Sequence, residues 1–368
     1  MKRITALFLS LLLLPIAMPC VFAAESGMLT VTDHYTEGED VADALQRLID
    51  ENPNRTLCFP DGVYRLSHPL ITPADPAKSV DLRLSAYAVL EAGENWSGDA
   101  LVILGGKDPK NDTHTPGSVY GLTGGVLDGK GKTGGVIIAG GRETYLRETS
   151  MKNVTVGVYI KYGANSGSSD SDIRDVNIIG TGDTNSVGVL AEGYDNTFTN
   201  MRIGNVFTGV HLKSGGNSLK NIHPLYYSDY TDYENSCGFL DASGNNLYDY
   251  CYSDQFSVGF RTTGNGSNTY ANCFCWWYSP AGKKETCFRA DGEFNSIVTN
   301  MRIGFSDGTE NTVLSAEKPG RGVFDNPVLN GHQGKNLTYR LYDSSSPLCR
   351  LRQLIFRIVD LFAAFRLF

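Results

Sequence analysis

A six-residue pattern (apolar, any, Asn or Asp, apolar, any, apolar) recurs along the middle of this 368-residue chain and excludes most folds. It reads MKNVTV around Asn153, IRDVNI around Asp175, FTNMRI around Asn200, LKNIHP around Asn221, LYDYCY around Asp249, YANCFC around Asn272 and VTNMRI around Asn300. The polar residues lie 22, 25, 21, 28, 23 and 28 positions apart, within the range of about 20 to 50 residues that marks solenoid repeats. Two copies share the string NMRIG. Apolar alternation has period two, the period of a strand. Strands at this interval, separated by Gly, Asn and Asp without helical periodicity, cannot form strand–helix–strand units. They can form coils of short strands stacked about 4.8 Å apart, with right-handed crossovers. The expected fold is all-β, a single-stranded right-handed parallel β-helix.

The alignment predicts interior columns. One would hold Val154, Val176, Met201, Ile222, Tyr250, Cys273 and Met301, the next Val156, Ile178, Ile203, Pro224, Tyr252, Cys275 and Ile303. The Asn and Asp residues are expected to be structural, since they tolerate tight left-handed corners and can bond from coil to coil. A further strand per coil begins at Gly188-Val189, Gly209-Val210, Gly238-Phe239, Gly259-Phe260 and Cys287-Phe288. If those apolar residues point inward, Leu190, His211, Leu240, Arg261 and Arg289 form one outward column.

A solenoid needs covered ends, because its last rungs expose core and strand edges. Val41, Ala44, Leu45, Leu48 and Ile49 share one helical face, which predicts an N-terminal capping helix over residues 40–51, stopped by Pro53. Residues 1–23 read as a secretory signal: Lys2 and Arg3, an apolar run, then a small-residue exit at Ala23. Pro19 before Cys20 disfavours a lipid anchor. Residues 28–345 form the β-helix, and 347–368 an amphipathic segment that caps the far end or contacts a membrane. The seven cysteines left after cleavage are odd in number and lack a metal-ligand spacing, so they read as buried hydrophobes. A formal net charge of −8 gives no overall basic field for nucleic acid. The chain is expected to act as a secreted or surface monomer.

LCFPDGVYRLSHPL (57–70) and GLTGGVLDGKGK (121–132), followed by the Asn-punctuated coils, resemble the pectate-lyase superfamily, in particular its rhamnogalacturonase, polygalacturonase and epimerase-like group. The resemblance implies a β-helix acting on a polysaccharide. It carries over no catalytic residues. The Asn-Thr-Asp, Asp-Asp, His-Gly and Arg-Ile-Lys series of polygalacturonases is absent, and so is the Arg-x-Pro of calcium-dependent pectate lyases.

Site candidates therefore come from the loops. Residues 225–236 and 276–286 are long insertions leaving equivalent places two coils apart, with Ser253-Asp254-Gln255 between them. Trp276, Trp277 and Tyr278, opposite Tyr226, Tyr227, Tyr230 and Tyr233, offer faces for pyranose rings. Asp229, Asp232, Glu234 and Asp254 offer carboxylates for acid–base work. Arg261 and Arg289 offer forked donors to a uronate carboxylate. His211 joins them as a contact in the outward column, although it and His223 also read as ordinary surface residues. The expected catalytic set is Asp229, Asp232, Asp254 and Arg261; the binding set is Trp276, Trp277, Tyr278, Tyr233, Arg289 and His211. No metal or cofactor is expected for a hydrolase, whereas a lyase could use Ca²⁺ or Arg261. An extended, acidic polysaccharide is the expected partner. The alternative to a glycoside hydrolase is a polysaccharide lyase, or a glycan-binding or adhesive β-helix without chemistry.

Overall fold

Corner residues set the shape of each coil. The structure is a computed structural model describing residues 28–34, 41–107, 121–141, 143–162, 169–227, 233–278, 284–306, 310–318, 320–329 and 338–339. In it Asp175, Asn200, Asn221, Asn272 and Asn300 have φ of 54 to 55°, left-handed backbone that a short polar side chain tolerates. Their side chains bond across coils: the amide of Asn200 donates to Asp175 at 3.1 Å, Asn221 to Asn200 at 2.7 Å and Asn300 to Asn272 at 3.2 Å. A second ladder lies four residues before the corner in four successive coils and is buried. Asn196, Asn217, Asn246 and Asn268 accept, through Oδ1, the backbone N–H of the corresponding residue in the preceding coil at 2.8 to 3.0 Å. Backbone donors at this inner corner are thereby satisfied where no ladder partner exists.

Each coil contributes three facets. The first includes Asp172–Arg174, Leu247–Asp249 and Thr269–Ala271; the second Asn177–Gly180, Tyr252–Asp254, Phe274–Trp276 and Arg302–Gly304. In two coils both facets merge into one strand, Thr197–Gly204 and Ser218–Leu225. The third facet includes Val187–Ala191, Thr208–Leu212, Cys237–Asp241, Val258–Thr263 and Lys284–Glu293, and forms an 11-stranded parallel sheet. The other two facets form a 21-stranded sheet. The fold is a right-handed parallel β-helix, all-β apart from its cap.

Two copies of the repeat sit in a different register from the one the sequence suggests. In the coil holding LYDYCY the left-handed corner is Tyr250, with φ 54°, rather than Asp249. Tyr250 is therefore 55% exposed, and Cys251 takes its expected place beneath Ile222. Tyr252 shifts outward with it, and Ser253 fills the second column. In the first copy the equivalent of the Asp175 corner is Glu148, with φ 54°, whereas Asn153, with φ 53°, holds the next left-handed corner and donates to Asp128 at 3.0 Å. Thr149 and Met151 then stand in the two columns in place of Val154 and Val156. The corrected first column is Thr149, Val176, Met201, Ile222, Cys251, Cys273 and Met301, all buried. Tight corners are rarely given to Glu or Tyr, so neither is visible in the pattern.

The glycines that open third-facet strands have a packing cause. A Cβ on Gly157, Gly188, Gly209, Gly238 or Gly259 would lie 2.1 to 2.7 Å from Ile178, Ile203, Pro224, Ser253 or Cys275 respectively. These are successive members of the second facet's inner column, which packs directly on the opposite backbone. Beside it, Phe239 stacks on Phe260 at 4.7 Å and Tyr248 on Tyr270 at 4.4 Å. Buried Asp241 accepts from Tyr248 Oη at 2.7 Å, Asn246 Nδ2 at 3.0 Å and the Ser243 N–H at 2.9 Å, a satisfied structural carboxylate.

Helix Val41–Glu51 closes the N-terminal end, burying Ala42, Ala44, Leu45, Leu48 and Ile49. Gln46 imitates a missing strand: its Nε2 donates to Ile71 O at 2.9 Å and its Oε1 accepts the Ile71 N–H at 2.8 Å. All six described cysteines are free thiols, and five are buried. The expected signal segment at 1–23, Cys349 and residues 347–368 lie outside the described residues. Among the described residues, no helix is long and apolar enough to cross a membrane.

Candidate functional site

Outside the second facet, register places two columns side by side. One runs Arg202, His223, Tyr252, Phe274, Arg302; the other Gly204, Leu225, Asp254, Trp276, Gly304. Asp254 stands in the middle. It points away from the core yet is only 8% exposed, because aromatic side chains crowd around it. The His223 ring stacks on Tyr252 at 4.1 Å, and Tyr252 meets Phe274 at 5.5 Å. His223 Nε2 is 3.5 Å from Asp254 Oδ2, an ion-pair distance without hydrogen-bond geometry. Asp254 Oδ1 and His223 Nε2 are both buried atoms with no hydrogen-bond partner among the described residues. Burial first, and then the charge of Asp254 and its contact with the phenol, raise the Tyr252 hydroxyl well above its ordinary value. Tyr278 is raised in the same way, by burial, Asp254 and Tyr227.

Leaving a carboxylate oxygen buried and unbonded costs several kcal/mol. Such groups concentrate where a ligand or reaction uses them. A carboxylate beside an imidazole on an outer face lined by Tyr252, Phe274 and Trp276 is a candidate for proton exchange with a bound molecule. The chain enters its two long insertions directly beyond this face, after Tyr227 and after Tyr278, which are 39% and 61% exposed.

The expected site residues separate into four groups. Asp254, Trp276 and Tyr278 lie on or beside the second facet's outer face, joined by His223 and Tyr227. Trp277 is a correction: it is 2% exposed, stacked on Phe305 at 5.2 Å, and its indole N–H donates to Phe256 O at 2.7 Å. Adjacent residues in an extended chain point opposite ways, so only one of the two tryptophans could face outward. Tyr233 is likewise buried, edge-on to the buried Tyr226 at 5.5 Å, and burial raises its hydroxyl.

The third group, Arg261, Arg289 and His211, does stand in one outward column, but on the third facet. Both guanidiniums there converge on Asp291. Arg261 Nε donates to its Oδ2 at 2.7 Å, Arg261 Nη2 reaches the same oxygen, and Arg289 Nε donates to Oδ1 at 2.5 Å. Burial and then Lys213 hold the His211 imidazole below its usual value. Asp229 and Asp232 form the last group and lie outside the described residues. Among the described residues no three His, Cys, Asp or Glu side chains converge as metal ligands.

His223 was legible only as a surface residue. Its partner Asp254 is on the next coil, and the one-residue register error at Tyr250 hid their proximity. With the corner placed at Tyr250, Leu225 falls beside Asp254 and His223 beside Tyr252.

No family model matches the chain, and no curated protein does. Solved structures do resemble it. The catalytic unit of a GH87 alpha-1,3-glucanase from Streptomyces thermodiastaticus aligns with 87% of this chain at 14% identity and TM-score 0.56, and the chain spans 66% of that protein. An endo-xylogalacturonan hydrolase from Aspergillus tubingensis aligns with 86% of this chain and 100% of its own, at 13% identity and TM-score 0.55. PfbA, a surface adhesin of Streptococcus pneumoniae, aligns over 87% and 96% at 12% identity and TM-score 0.51. At these identities the likeness is one of fold. The chain is a parallel β-helix of the pectin-lyase fold.

Proposed function

We propose that this is a secreted polysaccharide-active protein, a glycoside hydrolase for pectin-like or other uronate-containing glycans, with the glycan held along the outer face of the second facet. The carrying observation is the Oδ1 of Asp254, buried and, among the described residues, unbonded, on an outer face shared with His223, Tyr252, Phe274 and Trp276. Proteins of the same fold that hydrolyse xylogalacturonan and alpha-1,3-glucan support the reading. In it Asp254 protonates the leaving glycosidic oxygen, and a second carboxylate, from Asp229 or Asp232, activates water on the other side of the sugar. An inverting enzyme holds its two carboxyls about 6.5 to 9.5 Å apart.

The contact between His223 and Asp254 favours one other chemistry. His223, stacked on Tyr252 beside Asp254, would take the proton α to a uronate carboxylate; the bond to the glycosidic oxygen at the β carbon then breaks, a carbon–carbon double bond forms, and the leaving oxygen takes a proton from water. Products decide between them. On incubation with pectins, rhamnogalacturonan, alginate and neutral glycans, the hydrolase releases reducing ends without ultraviolet absorbance from unsaturated uronates. Absorbing products establish the lyase. Binding with neither product would make the protein a glycan-binding surface β-helix and overturn the enzymatic reading.

A further inference from the structure

The repeated string NMRIG, present at 200–204 and again at 300–304, falls at the two ends of the candidate face. Each copy puts an arginine in one outer column and a glycine in the other. Arg202 and Arg302 bracket His223, Tyr252 and Phe274; Gly204 and Gly304 bracket Leu225, Asp254 and Trp276. The arginines are four coil steps apart, about 19 Å at the spacing of neighbouring strands.

Both guanidiniums are exposed, and among the described residues neither is paired with a carboxylate. Arg302 lies over the Phe274 ring at 5.2 Å, and Arg202 Nη1 donates to Met201 O at 3.2 Å. A guanidinium has five N–H donors, so each keeps a fork for an incoming anion. Arg261 and Arg289 differ in this respect, since Asp291 already neutralises them.

The glycines are used in parallel. A Cβ on Gly204 would sit 3.1 Å from Ile179 Cδ1 and 3.2 Å from Tyr227 Oη, and one on Gly304 would sit 2.3 Å from the Trp276 ring. Each glycine therefore lets an aromatic side chain settle against the backbone, one towards each end of the face, with Asp254 between them.

We propose that the two NMRIG copies are the ends of a binding site for a linear acidic glycan lying along the helix axis, with Arg202 and Arg302 each taking one of its carboxylates. The proposal rests on the second-facet reading above. It adds a charge requirement and a length requirement. A sugar unit in an extended chain is about as long as one coil step of roughly 4.8 Å, so an oligomer of about five units reaches both arginines.

The test is calorimetric titration with oligogalacturonides from dimer to octamer and with their carboxyl-reduced counterparts, using the parent, Arg202→Gln, Arg302→Gln, Tyr227→Ala and Trp276→Ala. Both arginines are exposed, so their variants should melt with the parent. Expected is an affinity for acidic oligomers that climbs to about five units and then levels, at the coil spacing used above. Each arginine variant should lower the affinity of the longer acidic oligomers about tenfold, as a lost charge-assisted hydrogen bond does, and leave carboxyl-reduced oligomers unchanged. If the arginine variants bind acidic octamer like the parent while the aromatic variants lose it, the proposal fails and the second-facet site stands. If the parent binds only neutral glycans on this face, the proposal fails in the same way. If all four variants bind like the parent, both fail.

Discussion

Replacing Gly209 by alanine tests how the coil is packed. The φ of Gly209 lies outside the positive region, so alanine is allowed by the backbone there and would by itself stabilise by about 0.4 to 1 kcal/mol through the unfolded chain. The native environment opposes it. The new Cβ would stand 2.4 Å from Gly238 O and 2.4 Å from Pro224 Cβ, with Pro224 Cγ at 2.9 Å. One neighbour is backbone of the next coil and the other is a rigid ring, so neither can swing aside. Overpacking of this kind costs about 1 to 3 kcal/mol or more, which exceeds the gain. At about 2 to 4 °C per kcal/mol for a large domain, thermal unfolding should begin several degrees earlier. Gly140→Ala is the control, because its nearest contacts are 3.2 and 3.7 Å. Circular dichroism melts of both variants check it. A Gly209→Ala protein that melts with or above the parent would refute the assignment of this glycine column to inter-facet packing.

The two tryptophans should behave oppositely. Trp277→Ala removes a buried ring and orphans Phe256 O, costing about 3 to 5 kcal/mol of stability, whereas Trp276→Ala should keep the melting temperature and weaken glycan binding by about 1 to 3 kcal/mol, by analogy with base stacking; the reverse pattern in melts and titrations would invert their placement. The His211 imidazole is held below its ordinary value, so the unfolded chain takes up that proton first as pH falls below about 6.5. The stability it contributes is present above that pH and lost below it, and His211→Gln should show a smaller drop in melting temperature between neutral and mildly acidic buffer than the parent; an equal drop refutes this. Thiol titration of the denatured mature protein should count the cysteines as reduced, and a count of one would mean three disulfides.

Much of the architecture is written in residues that do only one thing well. Asn at 200, 221, 272 and 300 marks left-handed corners, and the apolar residues that follow it fix the interior columns by strand alternation. The pattern fails where a corner is held by a residue with no preference for it, as at Glu148 and Tyr250, since neighbouring coils, and not local propensity, impose the conformation there. The inner ladder of Asn196, Asn217, Asn246 and Asn268 was not read from the sequence. Its role needed the coordinates, because a buried side chain bonding to the backbone of another coil leaves no periodic trace. The site was half legible. Asp254 and the exposed aromatics followed from where the insertions leave the coil. Trp277 and Tyr233 did not separate from Trp276 and Tyr278 by composition, because burial at a coil edge depends on what packs across it. The arginines that drew attention as an outward column, Arg261 and Arg289, are held by Asp291, a partner 30 residues from the first of them.

In the glycan site proposed on the second facet, Asp254 is the reacting carboxylate. Asp254→Asn, assayed on the substrate the parent degrades best, tests it most directly, with affinity and product release measured on the same preparation. Loss of a group used as acid or base should lower turnover by about 10²- to 10⁴-fold while affinity stays within a few-fold of the parent. Turnover equal to the parent's in a variant that folds and binds normally would rule out Asp254 and place the chemistry elsewhere on the helix.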